Sequence, residues 1–472
     1  MGVPMKSGLL ADAADAEPML QRALRLIRRH ENALRGLGVL AAGAGGAWSA
    51  FLATPGFRFA PWSLPYGFTV GLLLLLFGLL LVRVRTHGVL LLAGWYGVAT
   101  SAIPCIWARY YGAGMLPGGG SLEGAGAWVL LVAMLSLPAY LVPAAWVRRV
   151  PAAGVLLSML LAAVPPLGLF GMATPWLTAG ALLPGVGGFW HGWIALALLV
   201  ALMVSVGLVR NEDRIGKLVF LLGVALFGVS IVLGVRAPAP QLAAGAGGPG
   251  HWRIWAMQEH LGEVPDADQH FDAYYAFEKD LRAQVRAALD EGARLIVTPE
   301  GMDPHWNAGE ALEWSDVAAL ARQRHATVLL GIYRPLPRTA PGPADWQDGL
   351  LDLGSGAFYP DRIAQPISMW RPWAAASIGS FPLNTSRHSM IETPYGRAAY
   401  LLCYEELLVW PVAGQMLPWR AAHPKLLISA ANQWFVNGPH SWLGRTQSRS
   451  VRMQALLWNL PLLRSANWAA PQ

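Results

Sequence analysis

The sequence predicts two parts of different class: an N-terminal all-α membrane bundle of about seven helices and a C-terminal α/β domain. Two observations support this division. Residues 37–235 form an almost continuous series of apolar stretches, whereas residues 250–472 have the charge content of a soluble protein. In the second part, short apolar runs alternate with helical patterns, which is typical of an α/β fold. The chain of 472 residues is also longer than one ordinary domain.

The chain begins with a basic segment, residues 1–36. Its stretch 21–35 (QRALRLIRRHENALR) places apolar residues at helical spacing, which fits either a helix at the lipid surface or a positively charged topological anchor. The predicted bundle follows at 37–235 as seven apolar segments, each close to the ~20 residues that a bilayer requires. These segments are Leu37–Leu52, Tyr66–Val82, Gly88–Trp107, Ala127–Trp146, Ala152–Met172, His191–Val209 and Leu218–Val235.

Charge alternates between the predicted loops. The basic loops are residues 22–35, 83–85, 148–149 and 210–217. The loops on the other side contain only Arg58 and Arg109. The positive-inside rule then places the N-terminus in the cytoplasm, and an odd number of spans places the C-terminal domain outside it. We therefore predict a multi-pass protein of the bacterial inner membrane with a periplasmic C-terminal domain. These flanking residues also account for the formal net charge of +7, so no direct nucleic-acid binding is predicted.

A Gly- and Pro-rich stretch at 236–251 predicts a linker to the C-terminal domain at 252–472. Apolar runs in this domain predict six strands. They are Trp252–Met257, Arg294–Thr298, Thr327–Ile332, Arg397–Cys403, Lys425–Ser429 and Leu460–Ser465. Helical spacing over Phe271–Leu289 predicts a helix. The pair Asp348-Gly349 and the Pro-rich stretch Arg334–Pro343 predict a surface turn and a loop.

Chemically active residues recur where predicted strands end: Glu300, Cys403 and Asn432. In open α/β sheets, sites form at the carboxyl ends of strands. A carboxylate there can accept the thiol proton, and the thiolate is a strong nucleophile. A cysteine on an apolar strand is nevertheless more often an inert core residue, and a carboxylate after a strand is more often a helix cap or a solvated turn residue. The pattern alone therefore leaves both interpretations open.

Three motifs resemble the carbon-nitrogen hydrolase (nitrilase) superfamily. They are TPEG at 298–301, LLCYEEL at 401–407 and the long block at 429–467. Within that superfamily the sequence is similar to two membrane-embedded groups, the apolipoprotein N-acyltransferases and the TraB-type conjugal transfer proteins. The resemblance implies an αββα sandwich for the C-terminal domain and a Glu-Lys-Cys triad. Glu300 would be the general base of that triad, and Cys403 would form a thioester. No cofactor is implied.

The lysine of that triad has no direct counterpart, because no lysine lies between Lys279 and Lys425. An ungapped match of the family's lysine segment to the stretch beginning at Tyr359 puts Asp361 at the lysine position and Arg362 next to it. Arginine can donate hydrogen bonds to an oxyanion but cannot shuttle a proton. Arg362 is therefore predicted as the third catalytic residue with a changed mechanism. The alternative is an arginine that forms a salt bridge on the surface.

Further residues are predicted to support the site or to lack a role in it. The supporting residues are Tyr404, Glu405, Asn432 and Trp434. Tyr404 and Glu405 would orient the catalytic groups, although Glu405 would equally pair with a nearby arginine. Trp434 fits an acyl-binding or membrane-facing pocket, and it fits core packing equally well. No metal is predicted, because the histidines have no metal-ligand spacing. These histidines are His305, His388, His423 and His440.

Three functions stay open. The first is a membrane-anchored thiol amidase or acyltransferase in plasmid conjugal transfer, acting on an acyl donor at the outer leaflet or on a periplasmic amide. The second is an apolipoprotein N-acyltransferase with phospholipid and lipoprotein partners. The run Met369–Trp373 and the absent lysine favour the TraB-type group over this second function. The third is a catalytically inactive envelope protein that docks with the conjugation machinery. Membrane lipids are expected partners in each case.

Overall fold

The structure is a computed structural model with a helical region in residues 8–210 and an α/β domain in residues 253–469. The described residues are 8–53, 64–110, 120–183, 190–210, 253–336, 345–366, 368–370, 381–386, 389–419, 422–438 and 441–469. The predicted span Leu218–Val235, the linker 236–251, and Trp373, His388 and His440 lie outside the described residues.

Eight α-helices form the described part of the helical region. They are α1 (Gly8–Ala47), α2 (Leu64–Leu81), α3 (Arg85–Ala99), α4 (Ile103–Tyr110), α5 (Gly120–Ser136), α6 (Ala144–Arg149), α7 (Ala152–Ala162) and α8 (His191–Arg210). A π-helical turn, Trp48–Leu52, extends α1, and 3-10 turns at Leu137–Leu141, Leu167–Leu169 and Pro175–Ala181 lie between later helices.

Two helical segments of the described chain are long and apolar enough to cross a membrane, Arg85–Arg109 and Gly120–Leu141. They correspond to the third and fourth predicted spans. Shorter apolar helices occur at Gly67–Leu81, Ala152–Ala162 and His191–Val206, within the second, fifth and sixth predicted spans. The predicted count of seven spans is therefore not confirmed.

The fifth predicted span shows why hydropathy overestimates helix length. Helix α7 ends at Ala162, although the apolar sequence continues. Pro165 and Pro166 follow directly, and proline removes a helix hydrogen bond and clashes with the preceding turn. The chain therefore continues through the 3-10 turn Leu167–Leu169 instead of completing a span.

The outer surface of the helical region is apolar. Large exposed apolar side chains there are Leu73, Phe77, Leu122, Val129, Leu130, Leu137, Leu141, Trp146, Leu160 and Ile194. Exposed apolar side chains in this number, on helices with long apolar runs, are expected where a helix contacts lipid or another protein. Together with the two long apolar segments, it is consistent with helices that face lipid.

Ten strands form two five-stranded sheets in the α/β domain. They are β1 (Ile254–Ala256), β2 (Gln258–Glu259), β3 (Leu295–Val297), β4 (Thr327–Pro335), β5 (Trp346–Asp352), β6 (Phe358–Pro360), β7 (Ile391–Thr393), β8 (Gly396–Leu402), β9 (Leu426–Gln433) and β10 (Leu462–Trp468). The first sheet has the order β1-β3-β4-β5-β6, and the second has the order β2-β10-β9-β8-β7. Strands β8, β9 and β10 are parallel neighbours, so their carboxyl ends meet at one edge.

The two sheets stack between layers of helices. Apolar residues of both sheets, including Val297 and Leu329 of the first and Ile428 and Leu463 of the second, form the core between them. Helices α9 (Phe271–Asp290), α10 (Ala308–Glu313) and α11 (Ser315–Gln323) lie on the first sheet's side, and α12 (Trp410–Gln415) and α13 (Trp442–Trp458) lie on the second sheet's side. This layer order is the predicted αββα sandwich.

The predicted surface turn at Asp348-Gly349 is wrong. Both residues lie within β5, and Asp348 is buried. The glycine serves close packing instead of a turn, because a Cβ on Gly349 would lie 2.5 Å from the Phe358 ring and 2.6 Å from the Tyr359 carbonyl oxygen. Strand β4 likewise extends to Pro335, into the stretch predicted as a loop.

The α/β domain packs directly on the helical region. Residues of both parts share one apolar cluster, for example Leu177 and Leu457. Polar contacts add to it. The Arg449 guanidinium on α13 donates to the carbonyl oxygens of Ser49, Ala50 and Ala53 at 2.6–3.2 Å. The carboxyl edge of the second sheet is thereby held against the helices.

Candidate active site

Cys403 stands at the end of β8, where the strand turns into a 3-10 helix. The buried strand ends at Leu402, and the 3-10 turn Cys403–Leu407 begins immediately. Cys403 has a φ of 33°, a left-handed conformation that is strained for a residue with a side chain. Such strain clusters at functional sites, where surrounding structure maintains it. The half-buried thiol points to the Asn432 carbonyl, with a distance of 3.8 Å between Sγ and O.

Glu300 reaches the thiol from the other sheet. It follows β3, and its neighbour Pro299 lies so close to β4 that a Cβ on Gly331 would be 2.0 Å from the Pro299 carbonyl oxygen. The buried Glu300 carboxyl accepts the backbone N–H of Asn432 at 3.3 Å. It also makes a hydrogen-bonding contact with the Cys403 thiol. The structure therefore brings the predicted base and the predicted nucleophile together.

The electrostatics of this pair favour a neutral thiol before reaction. Burial raises the pKa of the Cys403 thiol well above its usual range, and the nearby Glu300 carboxylate raises it further. Burial also raises the pKa of Glu300. The thiol proton therefore stays on sulfur in the resting site, and Glu300 is positioned to accept it during attack.

Asp348 is a site residue that the sequence did not indicate. Its fully buried side chain on β5 hydrogen-bonds to Glu300. Burial, followed by the charge of Glu300, raises the pKa of Asp348 well above the usual range. The raised pKa favours the protonated form of Asp348, which can donate a hydrogen bond to the Glu300 carboxylate. That hydrogen bond lowers the pKa of Glu300 and partly offsets its burial.

Asp361, at the position matched to the family's lysine, is a second buried acid with a raised pKa. It is buried, and within the described part of the chain neither of its carboxyl oxygens has a hydrogen-bond partner. Burial raises its pKa well above the usual range, and the charges of Glu405 and Glu300 add to that effect. A protonated carboxyl group can donate a hydrogen bond, but it does not supply the positive charge of a lysine.

Arg362 is engaged in a buried ion pair with Glu405. Its Nη1 lies 2.7 Å from Glu405 Oε2, and its backbone N–H donates to Glu405 Oε1 at 2.6 Å. Nη1 also donates to the Tyr400 carbonyl at 3.1 Å, and the guanidinium carbon lies 4.1 Å from the centre of the Tyr400 ring. These contacts correspond to the salt-bridge alternative, although in the core instead of on the surface. The role of Arg362 at the oxyanion stays a prediction that they do not favour.

The predicted supporting residues make hydrogen bonds and ring contacts with the elements around the site. Tyr404 donates its hydroxyl to the Leu169 carbonyl at 2.9 Å, which fixes the 3-10 turn on the helical region. Asn432 contacts Glu300 and Cys403 through its backbone, while its side-chain oxygen accepts from Asn467 at 2.9 Å. Trp434 is half-buried and stacks edge-on against Phe435 with ring centres 5.5 Å apart.

Gln447 on α13 is a second residue that the sequence did not indicate. Its Nε2 donates to the Cys403 carbonyl at 2.7 Å and lies 4.0 Å from the Cys403 sulfur. A chain of amides fixes its orientation: Trp468 Nε1 donates to Gln433 Oε1 at 2.9 Å, and Gln433 Nε2 donates to Gln447 Oε1. An oriented amide N–H beside a nucleophile is suited to stabilising an oxyanion.

An apolar cavity of about 310 Å³ leads from Cys403 into the helical region. Seven of the lining residues come from the two segments that are long enough to cross a membrane. They are Ile103, Ile106, Trp107, Ala127, Leu130, Leu131 and Met134. Cys403, Tyr404 and Gln447 line its other end. The volume lies at the lower end of the about 300–1,000 Å³ common for small-molecule sites.

A group of acidic side chains that could hold a metal ion lies away from this cavity. In the described parts of the chain, one such group has its carboxylate oxygens close enough together: Glu278, Asp303 and Glu310. It lies on the helix layer of the first sheet. The cavity end around Cys403 instead combines a thiol, carboxyl groups and an amide, which suits acyl transfer through a nucleophile and a base.

The chain is similar to two known conjugal transfer proteins. Conjugal transfer protein TraB of Agrobacterium fabrum is 26% identical over 392 residues, covering 79% of this chain and 82% of the relative. The probable conjugal transfer protein TraB of Sinorhizobium fredii is 26% identical over 377 residues, covering 77% and 84%. The predicted resemblance to TraB-type proteins is confirmed. No family model matches the chain.

Solved structures with some similarity include two proteins. One is the NitN amidase from Nesterenkonia sp. AN1, 16% identical, with 46% of this chain and 78% of that chain covered and a TM-score of 0.30. The other is the C. elegans NitFhit protein, 16% identical, with 45% and 50% covered and a TM-score of 0.29.

Proposed function

We propose that this protein is a membrane-embedded thiol acyl hydrolase or acyltransferase of nitrilase type that acts in conjugal transfer. The observation that carries the proposal is the contact between the Cys403 thiol and the Glu300 carboxyl at the end of an apolar cavity. The conjugation role is supported by the names of the relatives, which are both conjugal transfer proteins.

The proposed reaction proceeds in two halves. Glu300 accepts the thiol proton as Cys403 sulfur attacks the acyl carbonyl, and the bond from the acyl carbon to its oxygen or nitrogen breaks. The departing alcohol or amine takes the proton from Glu300, which leaves an acyl thioester. Water or an amine then attacks the thioester with Glu300 again as the base, the bond between the acyl carbon and the Cys403 sulfur breaks, and Glu300 returns the proton to the sulfur. Gln447, 4.0 Å from the sulfur, would stabilise the oxyanion in both halves.

The cavity favours a lipid acyl chain over a small periplasmic amide. Its lining is dominated by apolar side chains from the helical region, and one lining residue, Leu130, is exposed on the outer surface of α5. A phospholipid chain could therefore enter sideways from the bilayer and place its ester carbonyl near Cys403. Phospholipid is the acyl donor that we propose; the acceptor is water, a lipoprotein amine or a component of the conjugation machinery.

The contacts of the α/β domain support a location outside the cytoplasm. Arg85 and Arg109 lie at opposite ends of one apolar segment, and Arg85 belongs to a basic loop. The domain binds the other end, where Arg109 donates to the Phe435 carbonyl at 3.2 Å and to Asn437 at 2.9 Å. Because basic loops face the cytoplasm, we propose that the domain and Cys403 face the periplasm.

The proposal predicts a thioester on Cys403. When the full-length protein in detergent is incubated with a phospholipid, intact-mass spectrometry should show an added acyl group that hydroxylamine removes. Cys403→Ala should show none. Cys105→Ala is the matched control, because Cys105 is the other cysteine and is exposed; it should keep the adduct. Absence of an adduct with phospholipid and amide donors, combined with normal mating by a Cys403→Ala strain, would instead favour the inactive docking protein.

Filling the cavity should block long acyl chains without disabling the thiol. Ala127→Trp projects a ring into the cavity. Excluding four methylene groups would remove ~3 kcal/mol of binding at about 0.8 kcal/mol each, or roughly 100-fold in affinity. The rate of adduct formation with a long-chain donor should fall accordingly, while iodoacetamide labelling of Cys403 stays the same. Val129→Trp, on the exposed face of the same helix, is the control. Equal losses in both variants would contradict the assignment of this cavity.

A further inference from the structure

Three acidic side chains meet on the first sheet's helix layer, away from the cavity. Glu278 lies on α9, Asp303 follows β3, and Glu310 lies on α10. One carboxylate oxygen of each lies within 4.8 Å of those of the other two. The three residues follow no metal-ligand motif, which is why the sequence did not indicate the cluster.

Asp303 is the fixed centre of this cluster. It is fully buried, and its backbone is tied to β4 through its N–H to the Gly331 carbonyl at 3.1 Å and its carbonyl to the Tyr333 N–H at 2.9 Å. Its Oδ1 accepts from the Tyr274 hydroxyl and from the His305 N–H, each at 3.2 Å. The position of the carboxyl group is therefore determined by four hydrogen bonds.

Asp303 keeps one oxygen, Oδ2, that is shielded from water and accepts no hydrogen bond within the described structure. The Glu278 and Glu310 carboxyl groups share a hydrogen bond beside it. A buried polar atom without a partner is rare and needs an explanation such as an ion. The free oxygen of Asp303 next to two further carboxyl groups indicates that a ligand with positive charge completes the site.

The nearby protein charge is insufficient to neutralise the cluster. Arg282 lies 3.8 Å from Glu278 Oε1, but its Nη1 is bound at 2.5 Å to Glu313. One shared guanidinium thus faces three carboxylates besides Glu313. The three carboxyl groups lie within 4.8 Å of one another, and a bound cation would remove their mutual repulsion.

We propose that Glu278, Asp303 and Glu310 bind one divalent cation, with Ca²⁺ as the best fit. The donors are all oxygen atoms, which hard cations prefer. Ca²⁺ accepts several Asp or Glu carboxylates in a flexible geometry, whereas Mg²⁺ is usually held by one or two carboxylates. A cluster of three carboxylates therefore suits Ca²⁺. Glu310 is half-buried, which leaves an entry path and room for water ligands.

A bound cation would affect the proposed active site through the backbone that joins Asp303 to Glu300. Asp303 follows Glu300 by three residues, and both lie in the segment that follows β3. Binding to α9 and α10 would tie this turn to the helix layer and restrict the motion of the Glu300 backbone. The site would therefore stabilise the fold and position the base without contacting the substrate.

Terbium luminescence tests this site without reference to Cys403 chemistry. The full-length protein in detergent is titrated with Tb³⁺, which occupies Ca²⁺ sites, and Tyr274 is close enough to sensitise it. We expect one saturable signal that Ca²⁺ displaces. Glu310→Gln, chosen because its half-buried position tolerates change, should weaken Tb³⁺ affinity at least tenfold, and Asp303→Asn should abolish the signal.

A control and a second readout keep the test decisive. Asp316→Asn removes an exposed carboxylate on the adjacent α11 and should leave Tb³⁺ binding unchanged. Ca²⁺ should raise the melting temperature of the wild type and Asp316→Asn but not that of Glu310→Gln. The proposal is overturned if Tb³⁺ binding is equal in the wild type and Glu310→Gln, or if Ca²⁺ fails both to displace Tb³⁺ and to raise the wild-type melting temperature.

Discussion

Replacing Glu300 with Gln is expected to slow acylation of Cys403 by about 10²–10⁴-fold, the range that a positioned general base contributes. The substitution keeps the shape of the side chain and an oxygen that can still accept the Asn432 N–H. It removes the group that accepts the thiol proton, and the thiol, whose pKa is raised well above its usual range, does not ionise on its own near neutral pH. Single-turnover acylation, followed by mass spectrometry, measures the loss.

The same variant should change the pH dependence of the thiol. Glu300 must be deprotonated to accept a proton, so iodoacetamide labelling of wild-type Cys403 should increase with pH as Glu300 ionises. Because burial raises the pKa of Glu300, the midpoint should lie above the usual glutamate range. In Glu300→Gln the increase should occur only at the alkaline pH where the thiol itself ionises. Glu392→Gln, an exposed carboxylate, is the control, and identical pH profiles for the wild type and Glu300→Gln would rule out Glu300 as the base.

The regular core of the α/β domain was predictable because its signals are local. Strands β3, β8, β9 and β10 are short apolar runs, and α9 has a clear helical period. Strand β5 was missed because it contains Asp348 and Gly349, residues that are depleted in strands and common in turns. Only the tertiary structure explains them: the aspartate contacts Glu300, and the glycine admits the Phe358 ring.

Some residues of the candidate site could likewise be predicted from the local sequence, and others could not. Glu300 and Cys403 follow apolar strands, and carboxyl ends of strands are where sites form, so the sequence indicated both. Gln447 lies within a helix and reaches Cys403 across 44 residues of chain. Nothing in the local sequence distinguishes its amide from a surface glutamine. Asp348 likewise becomes a site residue only through the stacking of the two sheets.

In the helical region, the sequence did not predict the lengths of the helices. Hydropathy identifies apolar residues but does not say whether one helix continues through them. Helix α5 ends at Ser136 and continues only as the 3-10 turn Leu137–Leu141, close to Pro138 and Pro143. The hydrophobic segments were therefore predictable, while the lengths of the helices within them depend on proline positions and packing.

Replacing Arg362 with Met is expected to destabilise the protein by about 3–5 kcal/mol, because it leaves Glu405 as an unpaired charge in the core. Both side chains are completely buried and joined at 2.7 Å. Thermal unfolding of the full-length protein in detergent should show a melting temperature lowered on the order of 10 °C. Arg397→Met is the matched control, since its pair with Glu392 is exposed and such pairs contribute only about 0–1 kcal/mol.

Two further variants separate this structural role from the oxyanion role predicted for Arg362. The double variant Arg362→Met/Glu405→Leu removes both charges and should recover most of the lost stability, because burying an ion pair gains little over burying apolar groups. Arg362→Lys keeps a charge but cannot reproduce the bonds of the planar guanidinium to Glu405 and Tyr400. It should therefore lower the melting temperature without increasing Cys403 acylation. Faster acylation by a stable Arg362→Lys protein would instead identify residue 362 as the equivalent of the triad lysine, and the ion pair with Glu405 would then describe only the resting site.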